Sequence, residues 1–329
     1  MSLWTRESSM SDAELQTPTA PPRTPLQQSW RILRRNRLAM SGMIFFIIFF
    51  VAAVAGAVVT HQWFAKRPAI MNPATIRLAD KLRPPLSRCD NEEVPSAERP
   101  PFGMYLLGTD SLGRDVLSRM LQGAWVSLTI GFVAVGISVL VGIVFGGIAG
   151  YFGRWADVVI MRFVDIMLCI PTFFLILTVL ALWGGGIFKI MVVVGFTSWM
   201  GTTRFVRAEF LSLREQDFVT AARALGQRDL RIIFWHMLPN ALAPVLVSAT
   251  IGIAGTILIE SALSFLGFGV PEPYATWGKI LSDGRKYLFD APWLTFIPGF
   301  AILMVVLSFN LFGEGLRDAA NPKLRERGQ

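Results

Sequence analysis

The 329-residue sequence is poor in charged and metal-binding side chains. Only 16% of its residues are Asp, Glu, Lys or Arg, whereas a soluble domain carries about a quarter. It has two histidines, His61 and His236, and no His-Glu-x-x-His motif of a zinc protease. Its two cysteines, Cys89 and Cys169, have no paired spacing, which argues against a disulfide framework or a zinc site. The sequence therefore predicts no catalytic residue and no metal site.

A nucleotide-binding loop is also missing. The glycine run at 184–186 lacks the Gly-Lys-Ser/Thr that completes a phosphate-binding loop. Ionisable residues are rare in the apolar segments, and the exceptions are Arg162, Asp165, Lys189 and Glu260. A transporter driven by an ion gradient should carry such residues deep in its spans, and it often shows an inverted repeat, which is not seen here. An ion-coupled secondary transporter is thus the less favoured alternative, and the chain has no energy source of its own.

Long apolar segments dominate what is present. Hydrophobic residues make up 53% of the chain, and the net charge of +8 comes from basic residues that lie beside apolar runs. This arrangement is typical of a membrane protein rather than of a nucleic-acid-binding protein. A bilayer core needs roughly 20 helical residues. Six segments satisfy this length approximately and predict an all-α polytopic membrane protein with six transmembrane helices: 39–60, 124–150, 157–183, 187–203, 241–263 and 292–312.

The basic residues also predict the orientation. Four arginines between 31 and 37 precede the first span, which at 39–60 is too long and too far from the N-terminus for a cleaved signal. Short basic flanks favour the cytoplasm, so both termini are predicted inside and residues 61–123 form an extracytoplasmic loop. That loop has seven prolines and is expected to be extended. Residues 1–25 are expected to form a disordered cytoplasmic tail.

The remaining boundaries follow from the same reasoning. Residues 26–38 alternate arginines with Leu, Trp and Ile, which predicts an amphipathic helix in the membrane interface; a plain basic flank is the open alternative. Residues 124–314 form a five-helix core, and residues 315–329 a second cytoplasmic tail. Within the core, residues 204–240 make a cytoplasmic connection.

A short helix is predicted inside this connection. Phe218, Ala221, Ala222 and Leu225 are spaced i, i+3, i+4 and i+7, so they share one helical face. Gly226 follows where a helix should end, because glycine accepts a left-handed backbone. A short helix with small side chains on its exposed face suits docking in a groove of another protein. The alternative is an interfacial helix that rests on lipid.

The same segment carries a family resemblance. Thr220-Ala-Ala-Arg-Ala-Leu-Gly226, twelve residues before Leu238-Pro239, resembles the EAA loop of binding-protein-dependent ABC importer permeases. That pattern is Glu-Ala-Ala, three residues, Gly and a later Leu-Pro. The matching residues are Ala221, Ala222, Gly226, Leu238 and Pro239, and Arg223 and Leu225 lie between them. Thr220 stands where the pattern has Glu. The resemblance implies that this loop is the coupling helix that seats in an ATPase subunit.

Four further motifs narrow the resemblance. The segments 107–119, 264–269, 277–283 and 309–318 are similar to those of C-type dipeptide and oligopeptide permeases, and the similarity extends over roughly residues 25–326. The chain departs from the family in its long loop around Cys89 and in Ala319-Ala-Asn-Pro-Lys323. The implied fold is that of an ABC type I importer permease.

The resemblance also implies partners and a location. They are a second homologous permease subunit, two ATP-binding subunits and an extracytoplasmic peptide-binding protein, in a bacterial inner membrane. ATP and Mg²⁺ would be bound by the ATPase subunits, and this chain would hold no cofactor. Membrane lipid is a further partner, and nucleic acid is not. Nickel or glutathione import by the same architecture is the alternative to peptide import.

Further residues are candidates for packing or for the transport path. Three glycines at four-residue intervals allow close helix approach, either within the chain or with another subunit: Gly142, Gly146 and Gly150. Asp165 precedes Pro171, where a kink is expected. It is a candidate for lining the path, or it pairs with Arg162. Glu260 is a candidate for the outer mouth of the path, or it is an ordinary acid at a helix end.

Overall fold

Long helices make up most of the computed structural model, which describes residues 25–60, 71–89, 99–100 and 103–320. Most of the two predicted tails, residues 1–24 and 321–329, lies outside the described residues. The elements in chain order are α1 (Pro25–Arg35), α2 (Arg37–Thr60), a 3₁₀ turn (Leu78–Asp80), β1 (Ser87–Arg88), β2 (Met104–Tyr105), α3 (Val116–Phe152), α4 (Arg154–Leu168), α5 (Thr172–Trp183), α6 (Ile187–Arg214), α7 (Asp217–Ala224), α8 (Asp229–Arg231), a π-helical turn (Ile232–Met237), α9 (Leu238–Phe265), α10 (Trp277–Gly284), a second 3₁₀ turn (Arg285–Tyr287) and α11 (Trp293–Ala320).

Among the described residues, four helical segments are long and apolar enough to cross a membrane. They are α2, α3, α11 and the continuous run of α8, the π-helical turn and α9. A fifth is counted if α4 and α5 form one span, since they meet at a bend of 77°. Pro171 lies at this bend and lacks the N–H that an unbroken helix would need. The prediction of an all-α membrane protein is confirmed. With the bent pair counted as one span, five of the six predicted spans are long and apolar enough to cross a membrane, and the exception is the fourth, in α6.

Glycines bring α3 and α6 into close contact. A Cβ atom on Gly142 would lie 2.6 Å from Thr202 Cγ2, and one on Gly146 would lie 2.6 Å from the carbonyl oxygen of Thr203. One on Gly150 would lie 2.5 Å from the Cβ of Phe210. All three glycines therefore face α6 of the same chain, and larger side chains would force the two backbones apart.

Both of these helices are longer than their apolar cores. The second span was predicted to begin at residue 124, but α3 begins at Val116 because Asp115 accepts a hydrogen bond from the Ser118 N–H at 2.8 Å and caps the helix. The fourth span was predicted to end at 203, but α6 continues to Arg214. The loop predicted over 61–123 is therefore eight residues shorter at its C-terminal end.

The predicted helix over 26–38 is divided into α1 and the first turn of α2. Asn36 separates them, and its side-chain oxygen accepts hydrogen bonds from the N–H groups of Leu38 and Ala39, at 3.1 and 3.2 Å. Leu33 is buried beside Ala39 and Ala319, and its Cδ1 lies next to Gly315 of α11. The helix α1 thus packs against the last turns of α11.

A small folded unit follows α2, here named the loop unit (residues 71–89 and 103–115). Its two strands pair antiparallel, and Tyr105 donates a hydrogen bond to Asp80 Oδ2 at 2.7 Å beside the buried thiol of Cys89. Burial, and then the hydrogen bond to Asp80, raise the pKa of the Tyr105 hydroxyl above its ordinary value. The expectation of an extended loop is wrong for this part, because it has its own buried centre; residues 61–70, 90–98 and 101–102 lie outside the described residues.

A cluster of charges joins the loop unit to α10. Arg114 Nε lies 2.7 Å from Asp110 Oδ2, and Arg119 Nη1 lies 2.6 Å from the same oxygen. Arg114 also contacts Glu272 at 2.8 Å, and Arg119 contacts Asp283 of α10 at 3.4 Å. The nearly complete burial of Asp110 and both arginines is tolerated because each charge has opposite neighbours.

The substitution Asp110→Ala should strongly destabilise this end of the protein. It leaves two buried guanidinium groups without their shared carboxylate, and breaking a buried pair in this way costs about 3–5 kcal/mol. The matched control is Glu215→Ala, which removes an exposed partner of Arg214 and should cost about 1 kcal/mol or less. Thermal unfolding of the purified protein in detergent distinguishes them. Equal melting temperatures for the two variants would contradict the assignment.

The substitution Gly146→Ala should destabilise the contact of α3 with α6. Its methyl group has no room against the Thr203 carbonyl, and overpacking costs about 1–3 kcal/mol. Gly136→Ala on the same helix is the control, because a Cβ there meets nothing within 4 Å. It should leave stability unchanged or raise it by up to about 1 kcal/mol through helix propensity. A Gly146→Ala protein as stable in detergent as Gly136→Ala would refute the close-packing argument.

Candidate functional site: the short helix between α6 and α9

The helix α7 has a buried face and an exposed face. Val219 and Ala222 are buried in one apolar cluster with residues of α3, α6 and the π-helical turn: Tyr151, Phe210, Ile232 and Met237. Thr220, Ala221 and Ala224 are exposed on the other side. The buried pair fixes α7 to the bundle, so that small side chains point away from it.

This arrangement corrects the predicted docking face. Ala222 was placed there with Phe218, Ala221 and Leu225, but its side chain is only 5% exposed and points into the chain. Phe218 and Leu225 are exposed, Leu225 to 80%. The apolar spacing therefore predicted the wrong rotation of α7 about its axis. Ala222 lies on the buried face together with Val219, whereas Phe218 is exposed.

The end of α7 is defined by backbone hydrogen bonds around Gly226. The N–H of Gln227 donates to the carbonyl of Ala222 at 3.2 Å, and the N–H of Gly226 donates to that of Arg223 at 2.9 Å. These two bonds make a Schellman motif, which requires a left-handed residue. Gly226 has φ +73°, and a Cβ there would meet no atom within 4 Å. Backbone conformation, not space, is therefore what requires glycine here.

Tyr151 at the end of α3 connects to both sides of this turn. Its hydroxyl donates a hydrogen bond to Asp229 Oδ1 at 2.6 Å. The Arg223 guanidinium carbon lies 5.1 Å from the Tyr151 ring centroid, within cation–π distance. The sequence did not predict this role for Tyr151. Its only signal was a tyrosine at the polar end of a long apolar span, which is also typical of simple interface residues.

The two ends of the predicted motif have separate local roles. The Thr220 hydroxyl donates to the carbonyl of Asp217 at 2.9 Å, so it is satisfied within α7. Leu238 begins α9 and its N–H donates to the Ile233 carbonyl, five residues back. Pro239 follows without an N–H of its own, and the wider π-helical turn before it accommodates the proline ring.

Asp165 has a different partner from the predicted one. Its carboxylate pairs with Arg204 of α6 at 2.5 Å, and not with Arg162 of its own helix, and both partners are about half exposed. A second pair, Asp157 with Arg207 at 2.6 Å, lies further along the same two helices. These ion pairs add to an apolar contact of the same two helices, in which Val164 packs against Trp199 and Met200 of α6.

Glu260 is enclosed within the chain. It accepts a hydrogen bond from the Ser264 hydroxyl at 2.7 Å, and the Ser127 hydroxyl of α3 lies 3.5 Å from its other oxygen. Its side chain is fully buried, so the alternative that it faces an open mouth is wrong for this conformation. The helical pattern could not show this because the covering groups come from α3 and from Thr276 before α10.

Of the sequence-predicted site residues, the structure brings one group together. Thr220, Ala221, Ala222, Arg223, Leu225 and Gly226 form α7 and its end, and Leu238 and Pro239 follow the adjoining turn. Asp165 and Glu260 belong to separate parts of the bundle. No three His, Cys, Asp or Glu side chains in the described ranges are placed to hold a metal ion.

Comparison with known proteins gives consistent matches. Residues 142–326 match the family described as binding-protein-dependent transport system inner membrane component. Residues 24–85 match the N-terminal TM domain of oligopeptide transport permease C. The chain is 39% identical to the dipeptide transport system permease protein of Alkalihalophilus pseudofirmus, covering 92% of this chain and 91% of that protein. It is 36% identical to the di/tripeptide transport system permease protein of Pseudomonas aeruginosa, covering 97% and 99%.

One solved structure supports the fold. A chain of the MetNI methionine ABC transporter, in an inward facing conformation, superposes with a TM-score of 0.51 at 19% identity. The match covers 63% of this chain and 98% of that chain. Together with the family match over more than half of the sequence, these comparisons establish that the chain belongs to the family of binding-protein-dependent transport system inner membrane components.

Proposed function

We propose that this chain is a permease subunit of an ATP-driven importer that moves di- or oligopeptides from an extracytoplasmic binding protein into the cytoplasm. Its family and its multi-pass helical fold support a role in a transport complex. The names of the relatives, which are dipeptide and di/tripeptide permeases, support the substrate class. ATP and Mg²⁺ are bound by separate ATPase subunits, and a second permease completes the pathway.

The exposed face of α7 is the observation that carries this proposal. Its small side chains allow a partner surface to approach closely, as helix-in-groove docking requires. Val219 and Ala222 join α7 to a cluster shared with α3, α6 and the turn before α9. A displacement of α7 by an ATPase subunit is therefore transmitted directly to three long helices, and this coupling provides a route from ATP hydrolysis to alternating access.

The charges beside α2 support the proposed orientation. Four exposed arginines lie at the start of this helix and in α1: Arg31, Arg34, Arg35 and Arg37. Such short basic flanks favour the cytoplasmic side. We place α1, α7 and both termini in the cytoplasm and the loop unit outside, in a bacterial inner membrane.

The substitution Ala221→Trp should uncouple the permease from its ATPase. The bulky ring would project from the exposed face of α7 without disturbing the buried one. ATPase copurification and peptide uptake should each fall by about 5- to 150-fold, since overpacking an interface costs about 1–3 kcal/mol. The amount of permease in the membrane should stay normal. Pull-down of the ATPase subunits and uptake of labelled peptide measure this.

Two matched variants serve as controls for Ala221→Trp. Ala222→Trp places the same ring in the buried cluster and should reduce the amount of folded permease itself. Ala181→Trp adds an exposed ring on α5, near the end of the bundle opposite α7, and should leave ATPase binding intact. Normal ATPase binding and uptake by the Ala221→Trp transporter would refute the proposed docking face.

The orientation has its own test. In a Cys169→Ser background, a cysteine introduced by Leu86→Cys should react with an impermeant maleimide in spheroplasts, because Leu86 is exposed on the loop unit. A cysteine introduced by Leu225→Cys should react only after lysis. Native Cys89 should remain unlabelled in both cases because its thiol is buried. The reverse pattern of labelling would invert the assignment.

A further inference from the structure

The turn before α11 presents an unusually exposed aromatic side chain. Phe289 is 95% exposed, the highest value of any large hydrophobic residue in the described part of the chain. The turn that carries it is well fixed. The N–H of Ala291 donates to the Tyr287 carbonyl at 2.7 Å, and Ala291 and Leu294 are buried against Val116 at the start of α3. The exposure of Phe289 is therefore built into a packed turn.

This turn lies beyond the membrane-facing part of the helices. Trp293, the first residue of α11, donates its indole N–H to the Thr109 carbonyl of the loop unit at 3.2 Å. The buried charge cluster of Asp110, Arg114 and Arg119 is at the same end of the bundle. Such charges are not stable in hydrocarbon. Phe289 lies four residues before Trp293, in the turn at this end of the bundle.

Two basic residues precede Phe289 in the same turn. Arg285 and Lys286 are both exposed, and the Arg285 guanidinium lies 5.1 Å from the centroid of the Phe265 ring. Lys81 of the loop unit lies 5.9 Å from the centroid of the Tyr287 ring, which places a third cation next to the same turn. Asp290 is the acid adjoining Phe289 in sequence. A surface with an exposed apolar ring and nearby positive charges is complementary to a partner surface that has an apolar pocket and acidic residues at its rim.

From this exposed, packed turn we infer that Phe289, together with Lys286 of the same turn and Lys81 of the loop unit, is a docking point for the extracytoplasmic binding protein. The inference rests on the proposed function and orientation, which put this end of the bundle outside. The family itself is described as binding-protein-dependent, so a soluble protein must meet the transporter on that side. A single aromatic side chain that fills a desolvated pocket commonly dominates such an interface.

The test uses the whole transporter in proteoliposomes with the purified binding protein that supports its peptide uptake. Phe289→Ala should raise the binding-protein concentration for half-maximal uptake about tenfold or more, as loss of a hot-spot side chain does. The uptake rate at saturating binding protein should be retained. Lys286→Glu should raise the same concentration and weaken its dependence on salt. Phe296→Ala, an equal truncation of an exposed ring further along α11, should change nothing.

A photo-reactive benzoylphenylalanine at position 289 identifies the neighbour directly. Crosslinking to the binding protein supports the inference, whereas crosslinking only to lipid or to the second permease overturns it. Unchanged half-saturation for Phe289→Ala, when the unmodified transporter shows binding-protein-dependent uptake, also overturns it and leaves the proposed function standing. Absence of binding-protein-dependent uptake by the unmodified transporter would instead refute the proposed function, and this inference with it.

Discussion

The close approach of α3 and α6 is the contact on which the rest of the bundle depends. Gly142, Gly146 and Gly150 let the two backbones meet where any larger side chain would separate them. Once α6 is in place, its arginines can receive the aspartates of α4, and its end sets the position of α7. Packing and hydrogen bonding drive helix association in membranes, because burial against lipid supplies no hydrophobic gain. The glycine contact therefore determines geometry as much as stability.

The two ends of the bundle are stabilised by different interactions. The loop-unit end uses paired charges, centred on Asp110 and the two arginines that share its oxygen. The α7 end uses an apolar cluster closed by Tyr151, whose ring and hydroxyl contact Arg223 and Asp229, and adds the partly exposed ion pairs of α4 with α6. A charge cluster is rigid because any displacement leaves an ion unpaired. A packed apolar cluster can move as a unit without leaving an ion unpaired and transmits displacement to the helices around it, which suits the end where we propose that force enters.

The sequence predicted the features that depend on local pattern. Apolar length located α2 and α11, and the glycine after Leu225 marked the end of α7, because span length and helix termination are local properties. Features that depend on a distant partner were missed or misassigned. Ala222 faces inward because of Met237 and Phe210, Asp165 pairs with a residue 39 positions away, and the loop unit has a buried centre around Asp80. None of these contacts leaves a periodic trace in the sequence.

The packing of α1 has a consequence for how the chain is made. Leu33 of α1 is buried beside Ala39 and Ala319, next to Gly315 of α11. The helix α1 can therefore pack in place only when α11 has entered the membrane. During translation the N-terminal segment emerges first, and until then the apolar side of α1 has no protein surface to cover it. The contact of α1 with α11 therefore forms only after the helices between them have been synthesised. A chain that stops short of α11 would leave Leu33 uncovered, and exposed apolar surface of this kind makes incompletely folded chains prone to aggregation.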